Sequence, residues 1–397
     1  MRALTIKLFC LFLRVIYYFL KMMKVRKKIT FISRQGNEPS IDIKLLQSEL
    51  KQLLPDYQIV IKCRILGKGI IAPFAFLPSI LAQMYHIATS KMIILDSYCI
   101  PISILKHREG LLVLQMWHAL GLMKKAGYAS IDSEEGRSGE IAELLHMHQG
   151  YTHILASSSQ CEAAMMEVFG YQKACVSHKG STFKRTIICA LPRVDYLQDM
   201  TKRNEVVSRI YATYPSLRNR SVILYAPTSR KDNSGLLKKI EELGNAVDQA
   251  NQKGSNYTLI IKLHPFQIFL QDMQRAAHNE NTLFDSSFST TEIGMMADAC
   301  VSDYSSLIYE FLIMKKPTYF FAFDLDEYKG NRGLFLDYEK EIPGEVFHDA
   351  ERLLSAVTRN ECLFEEQQKF LKKYVSPNDN SNSKALAQDI MLILNDD

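Results

Sequence analysis

The sequence has no Cys-x-x-Cys pair and no group of cysteines and histidines at the spacing of a metal site. Its eight cysteines are scattered over 397 residues. Most stand in apolar runs such as IVIKCRIL and ADACVSD, which is typical of buried, reduced thiols. The pattern excludes a disulfide-stapled secreted scaffold and predicts a cytoplasmic protein.

Low-complexity tracts and internal repeats are also missing, which excludes solenoids and disordered scaffolds. A chain of 397 residues that is 47% hydrophobic and 23% charged is an ordinary globular protein, too long for one compact core. The net charge is +5, but the first 28 residues carry eight basic side chains and no acidic one. The remainder is close to neutral, so nucleic acid is not a predicted partner.

The basic N-terminal segment lacks an uncharged run long enough to span a bilayer. Arg14 separates LFCLFL from VIYYFL, whereas a span needs about 20 predominantly apolar residues. Lys7, Arg14 and Lys21 recur every seven residues and fall near one helical face. Residues 1–28 are therefore expected to form an amphipathic helix in the membrane interface, its cations toward anionic head groups. A helix that simply packs on the body of the protein is the alternative.

Beyond this segment, short apolar runs alternate with helical patterns. The predicted strands are KITFIS, YQIVIKC, KMIILDS, LLVLQMW and YTHILASS, then SVILYAPTS, YTLIIKLHP, DACVSDYSS and PTYFFAF. Helical spacing runs through IDIKLLQSELKQLL, SQCEAAMMEVFG and SGLLKKIEELGNAVDQA, and through the tail. The alternation predicts an α/β protein with two doubly wound parallel sheets facing a cleft. We expect domains at 29–205 and 206–397, the second including the C-terminal helices.

Ligands of open parallel sheets bind beyond the carboxyl ends of the strands, and unusual polar residues of this chain collect there. They are His118 after LLVLQMW, Thr228 and Arg230 after SVILYAP, His264 after YTLIIKL, and Asp303 after ACVS. Together they predict one site. Each alone has a structural alternative, either a hydrogen-bonded histidine or an exposed polar loop.

The segment CVSDYSSLIYEFLIMKKP predicts a helix over 304–316 with Ser302 or Asp303 as its N-cap. The hydroxyls and amides of Ser305 and Ser306 would then face the site and form a phosphate cradle. A plain helix cap is the alternative.

The candidate residues suit phosphate chemistry. His118 can deprotonate an attacking hydroxyl, and His264 can donate to a diphosphate. The Arg230 guanidinium suits bidentate phosphate binding. Lys124 and Lys125 are candidates for attracting an anionic acceptor, with a solvated loop as the alternative. No acidic cluster stands nearby, so no metal is predicted as a required cofactor; Mg²⁺ brought by the substrate is left open.

Six ordered segments resemble the CDP-glycerol glycerophosphotransferase family, the polyol-phosphate primases and polymerases of teichoic acid and capsule synthesis. They are QMWHALGLMKKAGY, ALPRVDYL, ILYAPTSR, IKLHP, VSDYSSLIYEFLIMKKP and FFAFDLDEYKGNRGLFLDYEKEIPGE. The resemblance implies a GT-B fold, with an acceptor-side N-terminal domain and a CDP-polyol-binding C-terminal domain. It also implies peripheral, monotopic attachment to the cytoplasmic face of the cell membrane.

The implied reaction is attack by a hydroxyl of a lipid-linked polymer acceptor on the polyol-bearing phosphorus of a CDP-polyol. Glycerol phosphate or ribitol phosphate is transferred and CMP is released. Matching positions imply that His118 is the base and that His264 lies near the diphosphate. Asp303, Ser305 and Ser306 match the donor-binding turn.

Arg193 and Arg230 stand in matching segments, and Arg193 is a further candidate for acceptor or phosphate binding. The chain departs from the family at two places. Ala119 and Leu120 replace a common Gly-Thr after the histidine, and Ala190 replaces a common glycine before the Pro-Arg pair. A lost glycine and a lost hydroxyl beside the base reshape the expected acceptor pocket.

Two other functions stay open at this point. A GT-B glycosyltransferase would use a UDP- or GDP-sugar instead of a CDP-polyol, and the nucleotide that binds separates the two. A membrane-bound scaffold with a degenerate site is the second alternative. The presence of His118, His264 and Asp303 together favours an enzyme.

Overall fold

The computed structural model describes residues 2–65, 72–134, 136–171, 183–230, 233–263, 281–378 and 380–396. The chain forms two compact units. The first consists of Met1–Asp195 together with Tyr374–Asp397, and the second of Tyr196–Lys373.

Each unit contains one six-stranded sheet. The strands of the first are β1 (Lys28–Ser33), β2 (Gln58–Cys63), β3 (Met92–Leu95), β4 (Leu112–Gln115), β5 (His153–Ala156) and β6 (Arg185–Ile188). Those of the second are β7 (Ser221–Ala226), β8 (Tyr257–Ile261), β9 (Thr282–Phe284), β10 (Ala299–Ser302), β11 (Thr318–Phe321) and β12 (Val346–Phe347). Every pairing between these strands is parallel.

Strand order reverses once in each sheet. The first sheet runs β2-β1-β3-β4-β5-β6, and the second runs β12-β11-β10-β7-β8-β9. The reversal falls between β1 and β3 in the first unit and between β7 and β10 in the second. Parallel doubly wound sheets bind ligands at this switch point, beyond the carboxyl ends of the strands. The predicted α/β class with two such sheets is confirmed.

Sixteen α-helices occur in the described ranges. They are α1 (Arg2–Leu20), α2 (Ile41–Leu53), α3 (Ala72–Thr89), α4 (Ile100–Ile104), α5 (Gly139–Leu144), α6 (Ser159–Val168), α7 (Arg193–Gln198), α8 (Met200–Thr213), α9 (Ser234–Gln252), α10 (Thr290–Met296), α11 (Leu307–Ile313), α12 (Leu325–Asn331), α13 (Tyr338–Glu341), α14 (Ala350–Thr358), α15 (Phe364–Tyr374) and α16 (Asn382–Asp396).

Local sequence accounts for the ends of the main helices. The Ser40 hydroxyl accepts a hydrogen bond from the amide of Ile43 at the start of α2. Ser158 does the same at the start of α6, and serine is a preferred N-cap. Gly170 follows α6 with φ 72°, a conformation that glycine adopts without steric cost. The predicted helices therefore begin and end close to where their capping residues stand.

The C-terminal helix belongs to the first unit, so the expected boundaries of 29–205 and 206–397 differ from the structure. The chain crosses to the second unit at Tyr196 and returns at Tyr374, and α16 packs against α2. The Asp195 carboxylate accepts hydrogen bonds from Ser381, Asn382 and Ser383 at the start of α16. A carboxylate at a helix N-terminus satisfies amides that would otherwise lack partners, so this contact fixes the returning chain.

Helix α1 packs on the first unit by one side only. Cys10, Leu13 and Tyr17 are buried, and the Tyr17 hydroxyl lies 2.8 Å from Nδ1 of His107. Arg14 donates to the carbonyl of Ile104. The expectation that all the cations of this helix face head groups is therefore wrong for Arg14, because its Nε–H is used by the protein body.

The other side of α1 is apolar and exposed. Ala3–Leu20 is the one helical segment among the described residues that is long and apolar enough, by length and composition alone, to cross a membrane.

The seven described cysteines are all free, and five of them are buried; Cys175 lies outside the described residues.

Candidate active site

His118 stands just beyond the carboxyl end of β4, as the sequence predicts. The Gln115 side chain accepts a hydrogen bond from the Trp117 amide at 3.0 Å and donates to the carbonyl of Ser97 at 3.2 Å. Trp117 adopts φ 62°, which is rare for a bulky residue and is maintained only where the surroundings enforce it. The tight turn places the indole 4.3 Å from the imidazole of His118, centroid to centroid.

The proton on the His118 ring is located by its partner. Nδ1 lies 2.9 Å from the carbonyl oxygen of Asp96, and a carbonyl can only accept. The Nε2 of the Gln35 side chain also lies 3.2 Å from Nδ1, but the nearer Asp96 carbonyl requires a donor, and an amide nitrogen cannot donate to a ring nitrogen that carries a hydrogen. The hydrogen is therefore assigned to Nδ1 and the lone pair to Nε2. Burial lowers the pKa of His118 to about 4, although the bond to Asp96 raises it. The ring is neutral at physiological pH and has a basic nitrogen available.

Arg193 contacts the turn that carries His118. Its backbone N–H donates to Asp42 at 2.7 Å, and its Nε donates to the same carboxylate at 2.9 Å. Its terminal nitrogen also donates to the carbonyl of His118 at 3.0 Å. Asp42 is buried near the start of α2. The guanidinium is thus engaged with the Asp42 carboxylate and the His118 carbonyl, and the expected role of Arg193 in acceptor or phosphate binding stays a prediction.

Lys124 and Lys125 follow His118 on the same loop. Both are partly buried, and both have interactions with the protein. The positive charge of Lys124 lies near enough to lower the pKa of His118. The structure therefore brings Lys124 close to the histidine, as predicted.

In the second unit, Asp303 links the two strands that flank the switch point. Its carboxylate accepts from the amide of Thr228 at 2.9 and 3.0 Å and from the amide of Tyr304 at 2.6 Å. Thr228 follows β7 and Asp303 follows β10, two neighbouring strands. The predicted residues at these strand ends therefore lie together. The Thr228 hydroxyl is buried and has no hydrogen-bond partner among the described residues.

Arg230 is held between two carboxylates. It pairs with Asp303 at 2.9 Å, and it forms a two-pronged bond with Asp324, one arm of which measures 2.8 Å. Burial lowers its pKa, but the charges of Asp303 and Asp324 outweigh this and hold it above the ordinary value. The guanidinium is thus paired with two carboxylates, and its role in binding the donor phosphate stays a prediction.

The turn after Asp303 is longer than predicted and the helix is shorter. Helix α11 begins at Leu307 instead of Tyr304, and Ser306 occupies the N-cap position without a side-chain bond. The prediction of Ser302 or Asp303 as N-cap is wrong, because Asp303 is committed to Thr228 and Arg230 and the Ser302 hydroxyl bonds to the carbonyl of Ala226. Ser305 and Ser306 are partly buried in the extra turn.

The segment after β8 contains a buried ion pair that the sequence did not predict. Lys262 contacts the Asp285 carboxylate at 2.7 Å and its carbonyl at 2.8 Å. His264, two residues further on, lies outside the described residues and stays a prediction. No group of three or more His, Cys, Asp or Glu residues suited to a metal ion occurs in the part of the chain that the structure describes.

Residues 15–392 match the family model of CDP-glycerol:poly(glycerophosphate) glycerophosphotransferases. The chain belongs to this family. Among relatives, it is 25% identical to the teichoic acid ribitol-phosphate primase of Bacillus spizizenii, over 92% of this chain and 91% of the relative. It is 26% identical to the teichoic acid glycerol-phosphate primase of Bacillus subtilis, over 90% of each chain.

The fold is similar to that of a solved structure, the wall teichoic acid polymerase TagF. That structure superposes with a TM-score of 0.71 at 18% identity, covering 100% of this chain and 97% of that one. Identity this low shows the fold alone, and it confirms the expected GT-B-like architecture. The family match confirms the predicted class of enzyme, a polyol-phosphate transferase, over the nucleotide-sugar and scaffold alternatives.

Three acidic residues escaped the sequence reasoning: Asp42, Asp96 and Asp324. Asp96 and Asp324 each follow a buried strand closely, in IILDSY and FFAFDLD, so the strand-end criterion that selected Asp303 would have selected them too. Asp42 stands in the first turn of α2, where an acidic residue is expected for helix stability alone. Its partner Arg193 is 151 residues away, and no local pattern links the two.

Proposed function

We propose that this member of the family transfers a polyol phosphate from a CDP-polyol to a hydroxyl of a membrane-linked polymer acceptor in teichoic acid or capsule synthesis, with His118 as the base. The observation that carries the assignment is the contact between His118 Nδ1 and the Asp96 carbonyl, at 2.9 Å. It leaves Nε2 as the hydrogen-bond acceptor on a neutral ring, which is what a general base requires.

The step proceeds as a displacement at phosphorus. Nε2 of His118 takes the proton of the acceptor hydroxyl, and the oxygen attacks the polyol-bearing phosphorus of the donor. A phosphodiester forms, the bond from that phosphorus to the bridging oxygen breaks, and CMP leaves with the electron pair. The imidazolium then returns its proton to solvent. The acceptor grows by one polyol phosphate for each CMP released.

The donor is assigned to the second unit. Thr228, Ser305 and Ser306 stand at the switch point between β7 and β10, where nucleotide ligands of such sheets bind. Asp303 and Arg230 are proposed to act indirectly, by holding the two turns in the shape that binds the donor. His264, outside the described residues, stays a candidate for contact with the donor diphosphate on the grounds of its sequence alone.

The acceptor is proposed to be held at a membrane. The feature of this chain that favours membrane attachment is helix α1. Its exposed side is apolar, formed by Leu4, Leu8, Leu11, Phe12, Val15, Tyr18 and Phe19. A continuous stripe of this kind on a helix inserts into the boundary of head groups and acyl chains. Lys24 and Arg26 follow the helix and are exposed, so anionic lipid on the cytoplasmic face is the proposed surface.

Ligand-dependent thermal stability tests the donor assignment first. The purified full chain is melted with CDP-glycerol, CDP-ribitol, CMP, UDP-glucose and GDP-mannose. A ligand at 100 times its Kd stabilises the folded state by about 2.7 kcal/mol. A rise in Tm with a CDP-polyol, and CMP release when acceptor is added, is the expected result. Stabilisation by UDP- or GDP-sugars alone would overturn the proposal in favour of a glycosyltransferase.

A further inference from the structure

Arg34 follows β1 directly, at the switch point of the first sheet, and the reaction above does not use it. Its backbone amide donates to the Ser97 hydroxyl at 3.0 Å, and a terminal guanidinium nitrogen donates to the Tyr98 carbonyl at 3.2 Å. The Nε–H is buried and has no hydrogen-bond partner among the described residues. An arginine with an unused donor, at the strand ends where ligands of such sheets bind, calls for a functional explanation.

A second arginine, Arg137, approaches the same tyrosine. Its guanidinium carbon lies 6.0 Å from the centre of the Tyr98 ring. The Tyr98 hydroxyl donates to the carbonyl of Leu145 at 3.0 Å, which fixes the ring. Burial lowers the pKa of Arg34, and the positive charge of Arg137 lowers it further. The two guanidiniums are therefore near enough to repel each other, and both residues are partly exposed.

No carboxylate pairs with either guanidinium in the part of the chain that the structure describes. The groups that raise the pKa of Arg34 are Cys99 and Tyr98. Burial raises the pKa of the Cys99 thiol to about 12 and that of Tyr98 above its ordinary value, so both are neutral at physiological pH. Two cations brought together without a counter-charge are costly to the fold, and a bound anion would remove that cost.

The two arginines border the turn that carries the proposed base. Gln35, the residue after Arg34, places its side-chain nitrogen 3.2 Å from Nδ1 of His118. The Tyr98 ring lies 5.3 Å from the ring of His148, which lies 6.1 Å from Trp117, centroid to centroid. Trp117 is the neighbour of His118 in the chain. The guanidiniums and the base therefore belong to the same end of the first sheet.

We propose that Arg34 and Arg137 form an anion subsite that binds a phosphate already present on the acceptor and so holds the attacking hydroxyl near His118. A guanidinium offers paired N–H donors that match two phosphate oxygens. This inference rests on the proposed function, because it gives the acceptor a site in the unit that holds the base. Two parts of such an acceptor can supply the phosphate: a polyol-phosphate unit added earlier, or the phosphate that links the polymer to lipid.

Three synthetic acceptors with the same terminal glycerol hydroxyl separate these sources. They are an octyl ether of diglycerol, the same chain with a phosphodiester between its two glycerols, and the neutral diglycerol carried on octyl diphosphate. The wild-type chain is expected to show a lower acceptor KM for one of the two phosphate-bearing probes than for the neutral probe. The preferred probe names the source of the phosphate. Equal KM values for all three would overturn the subsite.

Arg34→Gln keeps a polar side chain and removes the charge. With the preferred probe, its acceptor KM is expected to rise about 10-fold or more, because charge-assisted hydrogen bonds to the phosphate are lost. The KM for the CDP-polyol, and the rate with the neutral probe, should stay in place. Arg34→Lys keeps the charge without the planar set of donors, so its acceptor KM should lie between those of Arg34→Gln and wild type.

Arg108→Gln is the matched control, because Arg108 is a partly buried arginine of the same unit that donates to the backbone carbonyls of Lys21, Met23 and Ala88. It is expected to lower the Tm and to leave the acceptor KM unchanged. Arg137→Gln is the second variant and should raise the acceptor KM as Arg34→Gln does. It keeps the test decisive if Arg34→Gln does not fold.

Binding in the absence of donor separates this inference from the proposed function. The full chain is titrated with the two phosphate-bearing probes by calorimetry, and the Kd of the tighter one should rise in both glutamine variants. Equal Kd values in wild type, Arg34→Gln and Arg137→Gln would overturn the subsite even where CDP-polyols are turned over. A wild-type chain that binds the probe through both arginines but never turns over a CDP-polyol would overturn the proposed reaction instead.

Discussion

The guanidinium of Arg230 and the carboxylate of Asp324 form a two-pronged ion pair next to the donor-side switch point. The side chain of Arg230 is only 7% exposed and that of Asp324 is 15% exposed. Tyr304 donates to the same carboxylate at 2.9 Å, and although burial raises the pKa of Asp324, the bonds from Arg230 and Tyr304 hold it below its ordinary value. The turn that carries Ser305 and Ser306 therefore rests on buried charged side chains that compensate one another.

Removing Arg230 is expected to damage the second unit strongly. Arg230→Met leaves Asp303 and Asp324 buried without their counter-charge, which costs roughly 3–5 kcal/mol of unfolding free energy for a broken buried pair. Urea denaturation measures the loss. Arg352→Met, which breaks exposed pairs with Glu345 and Glu361, is the control and should be indistinguishable from wild type. Equal free energies of unfolding of the two variants would contradict the view that Arg230 is needed to compensate the buried carboxylates.

Removing the base is expected to abolish transfer without harming the donor site. His118→Ala should lower kcat by about 10²- to 10⁴-fold, because the proposed base is gone. The Tm increase caused by a CDP-polyol should persist. His348→Ala, at an exposed histidine of the second unit, is the control for histidine loss. Wild-type turnover in His118→Ala would remove His118 from the mechanism.

The first unit is expected to lose stability when the pH falls from about 7 toward 4. Burial lowers the pKa of His86, His107 and His118 to about 4 and that of His148 to about 3. An unfolded histidine titrates near 6.5, so between these values the unfolded chain binds more protons and stability rises with pH. The stabilisation is complete above the unfolded pKa and is lost as the pH falls through the folded one.

Urea unfolding at several pH values measures this slope, and His107→Gln should reduce it. One fully buried histidine contributes roughly 1.4 kcal/mol per pH unit within the window. Asp96 acts with the opposite sign, because its raised pKa makes it destabilising as the pH climbs from about 4 through about 6. A flat profile between pH 4 and 7 in wild type would show that these histidines are accessible to protons in the folded state.

Charging the outer side of α1 is expected to release the chain from membranes. Leu8→Glu combined with Phe12→Glu places two carboxylates on the exposed apolar stripe, where burial in lipid is unfavourable and anionic head groups repel them. Co-sedimentation with phosphatidylglycerol vesicles measures binding. Leu392→Glu, at an equally exposed leucine of α16, should bind like wild type. Retained binding by the double variant would place membrane attachment elsewhere.

Sequence patterns were sufficient for elements whose signal is local. The runs KITFIS and SVILYA are strands because they are rich in β-branched and aromatic residues, which suit a sheet covered on both faces. The strand ends then located His118, Thr228 and Asp303. Three strands were missed: Arg185–Ile188, Thr282–Phe284 and Val346–Phe347. They are short and only partly buried, so they lack the longer apolar run that marked the buried four-residue strands.

The functional state of a charged residue depended on partners distant in sequence. The sequence places Arg230 after a strand, but nothing in it indicates the pairing with Asp324, 94 residues away. Arg193 is likewise paired with Asp42. Ion pairing of this kind is a property of the fold.

The return of α16 to the first unit has a consequence for how the protein is made. The segment that covers α2 is synthesised after the entire second unit, so the nascent first unit emerges with that surface open. The second unit is contiguous, and it can fold as soon as Lys373 has left the ribosome. The first unit, which holds His118, is therefore completed only after the second unit has been synthesised, and a product interrupted between Lys373 and α16 carries a complete second unit and an incomplete first unit.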